Sequence, residues 1–223
     1  IILVKQLFGG IGKNIMNPAL AARVFLFFSF PSFMSGVFVE PKAAKAISPI
    51  AWGVDAVSSP TVLSYIEEGV DTNKVVDMFY GNIAGCIGEV SKLLLLLGFL
   101  YLLIRRVVGW HIPVAYLGTF FLLTYLFPRG QDEAISFAIA SLLSGGVVLG
   151  ALFMATDYST SPITATGKLI YGALCGALTV FFRYFGSYPE GASFAILIMN
   201  TFVYYIDRLT KPKVFGGGAN AKQ

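Results

Sequence analysis

Ile83-Ala84-Gly85-Cys86-Ile87-Gly88-Glu89-Val90-Ser91-Lys92-Leu93-Leu94-Leu95-Leu96-Leu97-Gly98-Phe99-Leu100-Tyr101-Leu102-Leu103-Ile104 runs straight into Arg105-Arg106. Crossing the hydrocarbon of a bilayer takes about 20 mostly apolar residues. This run has that length, and a basic pair marks its end. Five more apolar runs lie outward from it, at about 18–39, 112–127, 134–155, 168–185 and 191–207. Two of the six are short for a full span, as tilted or half-buried segments are.

Composition agrees. Of the 223 residues 56% are hydrophobic and only 13% charged, with a mean hydropathy of +0.74. Ordinary soluble domains carry about 25% charged residues. A soluble one-core enzyme, a disordered chain, a collagen and a disulfide scaffold are therefore excluded. The expected class is an all-α integral membrane protein: a single membrane domain over 1–223, polytopic, with about six visible spans. The chain opens on Ile1-Ile2-Leu3-Val4 without a Met or a basic leader, so an N-terminal part is expected to be missing.

Charge distribution gives the sidedness. Lys5, Lys13 and Arg23 precede or open the first run, and Arg105-Arg106 close the second. Lys168 opens the fifth, and Arg208, Lys211, Lys213 and Lys222 follow the last. Alternating six spans puts all of them on one face, which the positive-inside rule makes cytoplasmic, together with a tail over 208–223. The opposite face receives a loop over 40–77 with six acids against Lys42, Lys45 and Lys74. It also receives the turns Arg129–Glu133 and Ser187–Glu190.

No basic stripe interleaves with aromatics, so nucleic acid is not expected as a partner. Cys86 and Cys175 are isolated and make no CxxC, and no metal site is expected.

Irregular backbone at membrane depth is the next clue. Asn17-Pro18, Ser59-Pro60 and Ser161-Pro162 each place a capping residue before Pro, a helix-start signature. Glycines precede the first (Gly9-Gly10-Ile11-Gly12) and the third (Gly145-Gly146). Segments 9–28 and 145–176 thus share a plan, as in folds with broken or re-entrant helices and internal repeats. Glu89 and Lys92, at i and i+3 near a span end, permit a local ion pair or a place along a cation route. Arg183 and Glu190 flank one outer turn and could pair across it. Asp157 either ties its hairpin or lines a pocket. Trp110-His111 reads as an interfacial aromatic anchor.

Six stretches carry a more specific likeness: Gly9 to Leu20 (GGIGKNIMNPAL), Gly85 to Glu89 (GCIGE), Trp110 to Pro113 (WHIP), Phe153 to Asp157 (FMATD), Gly167 to Gly172 (GKLIYG) and Tyr188 to Gly191 (YPEG). In this order they resemble the family shared by the D subunit of the Rnf electron-transport complex and the B subunit of the sodium-pumping NADH:quinone reductase, over nearly the whole chain. The Trp-His-Ile-Pro stretch and the short tail favour the Rnf branch.

The resemblance implies a urea-transporter-like fold of about ten helices in two inverted repeats. It implies FMN attached through its phosphate to a Thr outside the membrane, within Ser/Thr-Gly-Ala-Thr after an Asp. The matching residues are Asp55, Ser58 and Thr61, with Ser59-Pro60 in place of Gly-Ala. The residues support Thr61 independently, since a helix starting at Ser59-Pro60 would place it in a first turn that favours a phosphate. The family's noncovalent riboflavin points to Asn14 and Asn17, amides of the kind a flavin ring edge requires.

The resemblance further implies a membrane subunit of an ion-translocating ferredoxin:NAD+ oxidoreductase. Electrons would pass from an FMN-bearing external subunit through the Thr61-linked FMN to riboflavin, with NAD- and ferredoxin-linked subunits as further partners and Na+ or H+ translocated. No catalytic side chain is expected, because the chemistry belongs to the flavins. The alternatives are a channel or secondary transporter of a small polar solute, and a cofactor-free scaffold subunit.

Overall fold

Most helices form within the apolar runs, and several begin at a side-chain cap rather than at the edge of a run. The computed structural model describes residues 1–10, 12–31, 34, 66, 72–86, 88–129, 133–186 and 191–212. Among these all regular structure is helical. A π-helical turn over Ile2–Gln6 is followed by α1 (Pro18–Ser29), α2 (Thr72–Tyr80), α3 (Lys92–Ile104), α4 (His111–Leu126), α5 (Ala134–Leu143), α6 (Val147–Met154), α7 (Ala165–Phe185) and α8 (Ala192–Thr210).

Asn17 caps α1 as expected: its Oδ1 accepts from the Ala19 and Leu20 N–H groups at 3.0 and 3.4 Å, with Pro18 in the first position. The helix stops at Ser29, ahead of Phe30-Pro31, because the residue before a proline is pushed out of the α region. The apolar run from Ile83 to Ile104 is helical only from Lys92, where the Ser91 hydroxyl accepts from Leu94 N–H at 3.4 Å. Its first residues stay unwound, with Gly88 at φ +90°.

The third expected cap is corrected. Thr164, not Ser161, starts α7, its hydroxyl accepting from Gly167 N–H at 3.0 Å. Tertiary partners fix that boundary: the Thr164 and Thr210 hydroxyls lie 2.6 Å apart, and Ile163 N–H donates to the Asp207 carboxylate at 3.0 Å. Ser59-Pro60 lies outside the described residues.

Span lengths also differ from the runs. Among the described helices α7 alone, at 21 residues, is long and apolar enough to cross a membrane, and α5 with α6 qualifies as a pair bent by 66°. The bend falls at Ser144-Gly145-Gly146, where Gly145 has φ +57°.

The packing centre is α4 on α7, with α8 on the other flank of α7. On α4 the buried stripe Ile112, Tyr116, Phe120 and Thr124 recurs every fourth residue. It faces Gly172 and Gly176 of α7, where an added Cβ would stand 2.7 Å from the Ile112 carbonyl and 2.6 Å from that of Tyr116. Small residues four apart let two backbones meet when the surrounding solvent is as apolar as the side chains.

On α3 burial is inverted relative to a soluble helix. Lys92 is the buried residue of α3, while Leu94, Leu97, Leu100 and Ile104 of that helix are exposed. Asn14, Glu89, Ser141, Ser144, Thr160 and Asn200 are also buried. An apolar outside around a partly polar inside suits a hydrocarbon surround.

Candidate functional site

The two segments predicted to share a plan meet in space. Asn14, buried ahead of α1, donates from Nδ2 to the Ser159 hydroxyl at 3.1 Å and to the Met16 carbonyl at 3.2 Å. Ser159 in turn donates to the Asp157 carboxylate at 3.0 Å, which also accepts from the Thr160 hydroxyl at 3.2 Å. Asp157 therefore ties its own turn and reaches the start of α1 through Ser159.

Asn200, on α8, completes the seam. Oriented by its hydrogen-bond partners, its Oδ1 accepts from the Asn17 backbone N–H at 3.2 Å. Its Nδ2 then faces the Tyr171 hydroxyl at 2.7 Å and the Ile196 and Thr160 carbonyls at 3.2 Å each. Tyr171 is fully buried on α7. A neutral polar seam thus runs from the start of α1 through the 157–160 turn to α7 and α8. Sequence reasoning missed Asn200 and Tyr171. An amide in the middle of an apolar span was the signal for Asn200, since polar groups there are rarely idle.

Two amides of the seam commit only part of their hydrogen-bonding capacity. Asn17 commits its Oδ1 to the cap and Asn14 commits its Nδ2 to Ser159 and Met16. Among the described residues no hydrogen bond uses Asn17 Nδ2 or Asn14 Oδ1. One amide donor and one amide acceptor, three residues apart, are what a pyrimidine edge pairs with. Asp55, Ser58 and Thr61, with most of the 40–77 loop, lie outside the described residues. So do Gly130–Asp132, Ser187–Glu190, Lys213 and Lys222.

A second, charged region sits at the bend between α5 and α6. The Glu89 carboxylate meets Arg23 Nη2 at 3.7 Å and accepts from Cys86 N–H at 3.3 Å. Arg23 therefore lies mid-helix beside a buried acid and loses its weight as a marker of the cytoplasmic face. Lys92 turns its Nζ onto the backbone carbonyls of Glu89 and Gly145, the latter at 3.0 Å. Arg183 reaches inward as well, donating to the Ser141 carbonyl at 2.7 Å, the Ser144 carbonyl at 2.9 Å and the Ser144 hydroxyl at 3.3 Å. These carbonyls belong to the end of α5, whose last C=O groups lack helical partners. Its role is thus inside the bundle, and the expected partner Glu190 lies outside the described residues.

Cys175 is buried and Cys86 half-buried, both as free thiols, and the described residues include no cluster fit to hold a metal. Trp110 and His111 stack at 4.3 Å, with Trp110 exposed. A largely apolar groove of about 520 Å³ between the ends of α4 and α7 has Arg129 at its edge and shares no residue with the polar seam.

Comparison with known proteins places this geometry in context. A family model described as the NQR2, RnfD, RnfE family matches residues 1–216. The chain is 43% identical to the D subunit of a Na+-translocating ferredoxin:NAD+ oxidoreductase complex from Acetobacterium woodii, over 97% of the chain and 64% of that protein. It is 37% identical to the D subunit of an ion-translocating oxidoreductase complex from Stutzerimonas stutzeri, over 98% of the chain and 68% of the relative. The D subunit of a proton-translocating ferredoxin:NAD+ oxidoreductase complex from Clostridium ljungdahlii is 37% identical, over 97% and 66%. The chain spans about two thirds of the length of these curated relatives.

Proposed function

The chain belongs to the NQR2, RnfD, RnfE family, and from that premise we propose that it serves as a membrane subunit of a redox-driven ion pump of the ferredoxin:NAD+ oxidoreductase type. Its task is to hold flavins in the path of electrons. The observation that carries this reading is the polar seam. Two amides at the start of α1 leave one donor and one acceptor in hand, while Ser159, Asn200 and Tyr171 fix the backbone behind them. Asn14 and Asn17 would hold the pyrimidine edge of riboflavin, and Thr61, with Ser58 and Asp55 beside it, would carry FMN as a phosphoester. Flavins supply the one- and two-electron chemistry; the chain supplies hydrogen bonds that orient them and an apolar surround that keeps water away.

In the same reading the fold is urea-transporter-like with inverted repeats, and the protein passes several times through a prokaryotic inner membrane. The Thr61 loop lies outside and the C-terminus in the cytoplasm. Its partners are an FMN-bearing external subunit and the NAD- and ferredoxin-linked subunits. Family membership leaves the coupling ion open, since similar relatives are named for Na+ in one organism and for protons in another.

Two measurements on the purified native complex test the proposal. A denaturing gel under ultraviolet light, followed by peptide mapping, is expected to yield a fluorescent Thr61 peptide heavier by FMN less one water. Thr61→Val is expected to abolish it. Unmodified Thr61 in the native complex would sink the covalent assignment. Acid extraction is expected to release riboflavin from the wild type and markedly less from Asn14→Leu. Riboflavin content untouched by that substitution overturns the seam as its site.

A further inference from the structure

Lys92 is 1% exposed, the most buried charge among the described residues. It is held by backbone oxygens: Nζ donates to the Glu89 carbonyl and to that of Gly145, the latter at 3.0 Å. The two carbonyls come from two unwound stretches, one ahead of α3 and one at the bend after α5. Gly145 lies two residues beyond Leu143, the last residue of α5, close to the end at which orphan carbonyls and the helix dipole concentrate negative potential. The far side of that helix end is closed by Arg183 through Ser141 and Ser144.

Carbonyls of unwound backbone converging at the end of a half-helix are how broken-helix transport proteins hold monovalent cations at membrane depth. An ammonium is the side-chain group closest to such an ion, a compact point charge without the planar fork of a guanidinium. We propose that the bend between α5 and α6 is a monovalent-cation seat occupied by the chain's own Lys92 ammonium. The seat ties α3 to the bend and is closed to free ions while Lys92 fills it. Removing the lysine side chain opens it to a small cation such as Na+ or methylammonium. Leaving the space filled by an uncharged chain does not. This inference is independent of the flavin reading, since it uses none of the seam residues.

The test compares wild type, Lys92→Ala and Lys92→Met in the purified complex. Each is heated in choline chloride, sodium chloride or methylammonium chloride at equal ionic strength, and the soluble fraction of this subunit is followed. Lys92→Ala is expected to melt well below wild type in choline and to regain several degrees, saturably, with Na+ or methylammonium. Wild type and Lys92→Met are expected to be indifferent to the cation. If Lys92→Ala cannot be recovered in choline, recovery only in the presence of a small cation supports the seat, and loss in every salt overturns it. Equal responses of wild type, or of Lys92→Met, would reduce the effect to screening and overturn it too.

Discussion

The polar seam and the charged bend are built from the same helix by opposite means. Tyr171 of α7 belongs to the seam and Arg183 to the bend, about 18 Å apart along the helix axis at 1.5 Å per residue. The seam is assembled from neutral amides and hydroxyls, and its members keep hydrogen-bonding capacity in hand. At the bend, charged groups are set against backbone carbonyls and one another, and Arg183 and Lys92 take up the carbonyls of Ser141, Ser144 and Gly145 around the end of α5. Unpaired charge is far costlier than an unpaired amide in a low-dielectric interior. A site that must receive a ligand is therefore better made of neutral polar groups, and a permanent junction can be made of charges.

This contrast can be broken from the frame downward. Gly176→Leu drives a side chain into the Tyr116 carbonyl 2.6 Å from the added Cβ, and overpacking of that kind costs about 1–3 kcal/mol or more. Both regions are expected to fail together, read as loss of folded subunit in the detergent-soluble fraction and of flavin with it.

Arg183→Ala leaves the end of α5 uncapped, at a cost of about 3 kcal/mol from charge-assisted hydrogen bonds. Thermal denaturation should show the loss while riboflavin per folded subunit stays at the wild-type value. A parallel fall in riboflavin would mean that the two regions are one.

Asn200→Leu is the converse. It removes the support behind Asn17 and Tyr171 for about 2 kcal/mol. The expected signature is a drop in extractable riboflavin larger than the drop in melting temperature implies, with the bend intact. Retention of full riboflavin would detach Asn200 from the site.

Thr179→Val should be the mildest. The lost partner of the Tyr116 hydroxyl, 2.6 Å away, is worth about 1 kcal/mol. It should lower the melting point slightly and leave both readouts of the contrast unchanged. A larger effect would place the α4–α7 hydrogen bond among the determinants of the seam.

How much of this was legible beforehand differs by residue. Asn17-Pro18 announced a helix start, and it is one, because a cap reaches only as far as its own first turn. Ser161-Pro162 carried the same signature and does not start α7; Thr164, tied to Thr210 on α8, does. Glu89 and Lys92 invited a local ion pair at their spacing, but Arg23 brings its charge to Glu89 from α1, and Gly145 offers Lys92 a carbonyl. Asn14 was legible as a candidate, though nothing in its neighbourhood pointed to Ser159, 145 residues away.

The sequence by itself determined the all-helical class, the apolar surround, the cap of α1 and the family, since these rest on composition, motif and contacts within a turn or two of the chain. Only the tertiary structure decided where the spans bend and unwind, which charges turn inward, and which amide in α8 closes the seam. Buried polar groups must find partners wherever the packing of distant helices offers them, and that choice is a property of the assembled bundle rather than of any local stretch.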